Sequence, residues 1–140
     1  MALPINYFSK EKALLHLNMG RSVALFARVG EFFESKTFDW IKLERISPEA
    51  CKCTLVRSFP EGDGFTADVV NFRTVNQLEE GFDAVSNPYT EGTLEECITW
   101  MSEKFGIREN ASFMIPEDLN KIYAEIYKKG ELDLTNNARD

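Results

Sequence analysis

Residues 22–29 read Ser-Val-Ala-Leu-Phe-Ala-Arg-Val, and at this stretch the hydrophobic period of the chain drops from that of a helix to two. Alternate side chains of an extended strand share a face, so Val23, Leu25, Ala27 and Val29 are expected on one side and Ala24, Phe26 and Arg28 on the other. Upstream, Ser9 suits the N-cap of a first helix from Lys10 to about Met19, with Leu14 and Leu17 on one side and Gly20 as its stop. Downstream, three more β-rich stretches follow at Phe38 to Ile46, Ala50 to Phe59 and Phe65 to Val75. The spacers between them, Ser-Pro-Glu at 47–49 and Pro-Glu-Gly-Asp-Gly at 60–64, are turn-forming and short, which predicts a four-stranded antiparallel meander.

After Val75 the period lengthens again. Thr74 and Gln77 have capping-box spacing for a short helix carrying Leu78, Phe82 and Val85, closed by Asn87-Pro88. Thr93 and Glu96 repeat that spacing before an apolar stripe of Leu94, Cys97, Ile98, Met101 and Phe105 that stops at Gly106. A last helix is predicted from about Pro116, with Glu117 and Asp118 in its first turn, Lys128 and Lys129 in its last, and Gly130 beyond. Its Leu119, Ile122, Tyr123, Ile126 and Tyr127 follow the spacing of a helix lying on a core. The fold class predicted is α+β: an N-terminal helix, the meander, then two or three C-terminal helices packed on one sheet face. Residues 1–130 are expected to form a single domain, and 131–140 a mobile polar tail.

Composition restricts the function. The 140 residues carry 16 Lys and Arg against 23 Asp and Glu, a net charge of −7, and 44% are hydrophobic. Phosphate neutralisation needs clustered cations, so nucleic acid is not an expected partner. The longest apolar run, Val23 to Ala27, is far shorter than the roughly 18 residues of a membrane-spanning helix, and the first residues lack the pattern of a secretory signal. Three cysteines, an odd number, fit free thiols in a reducing compartment, and the protein is expected to be cytoplasmic.

No motif for nucleotide, metal or nucleophile chemistry occurs. Cys51 and Cys53, two apart on a strand, share a face, and with Cys97 and His16 they would complete a Cys₃His set. The spacing is unlike that of structural zinc sites, so buried reduced thiols and no metal or cofactor are expected. His16 is the single histidine and is flanked by Leu15 and Leu17, which leans the reading away from an enzyme.

Charge placement is more informative. Residues 1–70 carry nine basic and nine acidic side chains, so the whole −7 belongs to residues 71–140. From Thr74 to Glu103 there is no Lys or Arg, while Glu79, Glu80, Asp83, Glu91, Glu95, Glu96 and Glu103 carry negative charge. Trp100 lies outside the apolar stripe, with Glu96 and Glu103 as its neighbours at i−4 and i+3, the composition of a partner-binding hot spot. The expected partner-binding residues are therefore Glu79, Glu80, Asp83, Glu96, Trp100 and Glu103, and the expected function is a small acidic protein that masks or inhibits a basic protein partner. The alternative is a small-molecule protein or enzyme that binds a phosphate or carboxylate in an arginine-lined cleft between sheet and helix. It would use Arg28, Arg57 and Arg73; Arg57 and Arg73 are aimed at apolar company, with Glu44 and Asp68 as the available internal partners.

Overall fold

A computed structural model describes residues 5–32, 34–61, 67–75, 88–107 and 113–130. Ser9 accepts a hydrogen bond from the Lys12 amide at 3.2 Å and opens helix α1, Lys10–Asn18. Gly20, at φ 80°, turns the chain into strand β1, Val23–Phe32. β1 pairs antiparallel with β2 (Ser35–Ser47), and β2 with β3 (Ala50–Ser58). The fourth strand, β4, is Tyr89–Gly92, antiparallel to β3 with Cys51 opposite Gly92 and Thr54 opposite Tyr89. The sheet order is β1-β2-β3-β4.

The four-stranded sheet is thus as predicted, but its last strand is not. Within the predicted strand 65–75, the described part is a 3-10 turn at Val69–Asn71 followed by an isolated bridge between Thr74 and Ser58. Its buried residues are Val69, Phe72 and Val75, spaced by three rather than two. The predicted helix carrying Leu78, Phe82 and Val85, and the tail 131–140, lie outside the described residues.

Helix α2, Leu94–Phe105, starts with the predicted capping box: Thr93 Oγ1 accepts from the Glu96 amide at 3.2 Å while Glu96 Oε1 accepts from the Thr93 amide at 2.9 Å. It stops at Gly106, whose φ of 69° disfavours a residue with a Cβ. A 3-10 turn at Pro116–Asp118 leads into helix α3, Leu119–Lys128.

The helices cover both faces of the sheet, a correction to the expectation of one. On the first face, Leu17 of α1 and Leu94, Cys97, Ile98 and Met101 of α2 pack against Val23, Leu25, Ile41, Leu43, Cys53 and Leu55. On the second, Leu119, Tyr123 and Ile126 of α3 pack with Phe72 against Ala24, Phe38 and Trp40. The alternation in β1 to β3 supplies apolar residues to both sides, so each side needs a cover. Burial of each such leucine contributes roughly 2 kcal/mol. Beside the start of β1, Ala24 and Met114 exchange backbone hydrogen bonds of 2.8 and 2.9 Å, which occupies the strand's outer edge at that residue, and Phe113 bridges Phe8.

Candidate functional site

A bulge decides where the arginines go. Phe26 lies opposite Trp40 but Arg28 lies opposite Asp39, so Ala27 is an extra residue in β1. One inserted residue reverses the alternation that follows it. Val29 therefore joins the second core with Phe26, and Arg28 moves to the first face, the reverse of the sequence expectation for both. There Arg28 Nε donates to Asp39 Oδ2 at 3.0 Å. Arg57, directly opposite Asp39 on β3, brings its Nε to 3.6 Å from the same oxygen and donates through Nη2 to the Glu31 carbonyl.

Asp39 is fully buried, while the side chains of Arg28 and Arg57 are 49% and 23% exposed. The guanidiniums thus bridge a buried carboxylate to the surface, and each also lies on an aromatic ring: Arg28 over Phe105 at 5.8 Å and Arg57 over Phe32 at 5.9 Å. Gly30, on the neighbouring strand, leaves the room for this arrangement. A Cβ there would run into the Asp39 carboxylate and come within 2.9 Å of Thr37 Oγ1. Asp39 Oδ1, Thr37 Oγ1 and Arg57 Nε are buried without a hydrogen-bond partner. Unmet donors and acceptors gathered in one place are costly, and they define a polar spot inside an apolar face.

Arg73 is elsewhere. It is exposed, outside any strand, and bonded to Glu61 at 2.6 Å, so the expected grouping of Arg28, Arg57 and Arg73 is reduced to the first two. Neither expected internal partner is used: Glu44 lies 3.6 Å from Lys42, and Asp68 accepts from Asn71. The sequence does carry a signal for the real partner. Asp39 stands between Phe38 and Trp40 on the strand face that carries Ile41 and Leu43, where an unpaired carboxylate would be untenable.

On α2, Glu96 is exposed and serves the capping box, and Glu95 holds Lys10 at 2.6 Å. Glu103 is exposed, and none of the ion pairs of the described residues includes it. Trp100 is half-buried rather than free: it leans on the first core and meets the Phe105 ring edge-on at 5.2 Å. Phe105 is therefore shared by Trp100 on one side and Arg28 on the other, joining the two sets of residues that the sequence had kept apart. Glu79, Glu80 and Asp83 lie outside the described residues.

The three thiols are buried and form no disulfide, Cys97 on α2 and Cys51 and Cys53 on β3. The hydrogen bond between Cys53 and Cys97, followed by burial, pushes the Cys53 thiol up, whereas the same bond holds Cys97 down. Burial pushes Cys51 up as well. His16 is half-buried and stacked on Phe8 at 4.4 Å, lining a cleft with Arg21, Ser22 and Glu117. Among the described residues no three His, Cys, Asp or Glu side chains converge as metal ligands, and no helix is long and apolar enough to cross a membrane. Comparison with known protein families, curated proteins and solved structures finds no match for this chain.

Proposed function

We propose that this chain is a cytoplasmic binding module that masks or inhibits a basic protein partner, in the manner of an inhibitor, an immunity-type antidote or an accessory chaperone. The observation that carries the reading is the uneven placement of charge along the chain, whose whole net −7 belongs to residues 71–140. Arg28 and Arg57 share Asp39, and Arg73 is held by Glu61, so these three arginines are answered from within. Among the described residues, Glu11, Glu49, Glu91 and Glu103 have no such ion pair. Together with Glu79, Glu80, Asp83, Glu95 and Glu96, which complete the seven acids of the Lys- and Arg-free stretch 74–103, they give a field that draws in cations and repels phosphates.

The test is capture from the source cell by the immobilised chain at low and at high salt. A basic protein retained at low salt, released at high salt, and lost when Glu79, Glu80 and Glu103 are changed to Lys supports the reading. Retention indifferent to both salt and charge reversal overturns it.

The unpartnered donor Arg57 Nε and the half-exposed guanidinium of Arg28 favour a second reading, a small anionic ligand held by Arg28 and Arg57. Thermal stabilisation by orthophosphate or a dicarboxylate, abolished in Arg28→Met, would establish it.

A further inference from the structure

A groove of 290 Å³ runs between α1, the Pro48–Glu49 turn of the β2–β3 hairpin and the first turn of α2, and its lining is mostly apolar. We infer that it is a socket for one large apolar side chain presented on a basic segment of the partner, an inference that rests on the binding-module reading.

Shape limits the occupant. The groove is no larger than the smallest sites for organic ligands and, unlike them, is open along one side, which suits a single side chain anchored from a partner. Leu14, Pro48 and Leu94 give it apolar walls. The outer side of α1 continues the apolar surface where a solvent-facing helix would be polar: Leu14, Leu15 and Met19 are 43%, 61% and 58% exposed.

Charge fixes the sign of the partner. Glu11, Glu49 and Glu95 stand around the opening, one from each of the three elements that form it. Two cations are nearby and both are engaged: Lys10 on Glu95 at 2.6 Å, and Arg45 on the carbonyls of Asn18 and Ser47 at 3.2 and 3.0 Å. Glu11 and Glu49 are left facing solvent beside an apolar floor, which suits Lys or Arg flanking an apolar residue. A second copy of this chain fits less well, because a two-fold contact would bring the same carboxylates together on a chain of net charge −7.

The experiment uses the isotope-labelled full chain and two short synthetic peptides, an amphipathic one of Leu and Lys and its counterpart with Ser at every Leu. The Leu/Lys peptide is expected to shift the amide resonances of residues 10–18, 47–51 and 93–95 and to bind about tenfold more tightly than the Ser/Lys peptide. Leu14→Gln and Glu49→Lys, both at surface positions, should each weaken it several-fold with unchanged circular dichroism. Shifts confined to the Trp100–Glu103 surface would overturn the socket and leave the binding-module reading standing. Equal binding of both peptides, or self-association through the groove in the absence of peptide, would also overturn it. Failure of both peptides to bind anywhere at low salt would remove the socket and the binding-module reading together.

Discussion

The two faces of the sheet are built on different principles. On the second face the cover is aromatic: Tyr123 is fully buried and meets Phe38 at 5.7 Å and Phe72 at 5.1 Å, both edge-on. On the first face the cover is aliphatic and sulfur-bearing near the middle of the sheet and gives way to Asp39, Thr37 and two guanidiniums toward one end. The aromatic side has the character of a scaffold. The other side carries buried charge, unmet hydrogen bonds and a surface groove, features that cost stability and so mark where a function is to be sought.

The largest expected effect tests the scaffold. Tyr123→Ala removes a ring that touches three others, and urea unfolding should show a loss of about 4 kcal/mol. A loss no larger than that of an exposed residue would break the contrast between the faces.

Next comes the charged end of the first face. Asp39→Asn leaves two guanidiniums without their carboxylate and should cost about 3 kcal/mol, at the low end for buried pairs because Arg28 reaches water. Gly30→Ala should act in the same direction by displacing Asp39. If Asp39→Asn leaves stability unchanged, the two guanidiniums do not need the carboxylate to be held and are available to an anion, and the anion reading gains. Thr93→Ala should cost about 1 kcal/mol by removing the N-cap of α2, whereas Glu96→Gln keeps the accepting oxygen and should be nearly neutral. Partner affinity lowered by Glu96→Gln at unchanged stability would assign the Glu96 charge to binding. The smallest effect on stability is expected for Glu103→Lys, within about 0.5 kcal/mol by thermal unfolding, while the same change slows association with a basic partner.

Much of the fold was legible because it depends on neighbours in sequence. Ser9, Thr93 with Glu96, and Gly106 mark helix ends through hydrogen bonds and backbone angles that span at most a few residues, and all three act as read. The stripe of Leu94, Cys97, Ile98 and Met101 is buried as its spacing requires. The segment 67–75 was misread because its alternate residues include Ala67, Val69 and Asn71, while its burial follows Val69, Phe72 and Val75. The strand that does pair with β3, Tyr89–Gly92, is too short to show a period at all.

The sequence by itself determined the first three strands, the helices at Lys10–Asn18, Leu94–Phe105 and Leu119–Lys128, the caps, the acidic half and the one-to-one alternation of β1 up to Phe26. Only the tertiary structure decided that helices lie on both faces, that Ala27 bulges and sends Arg28 to Asp39, and that Phe105 ties Trp100 to that pair. The physical reason is range: caps and periods are set by contacts within one or two turns, whereas a bulge and an ion pair depend on the register of a neighbouring strand.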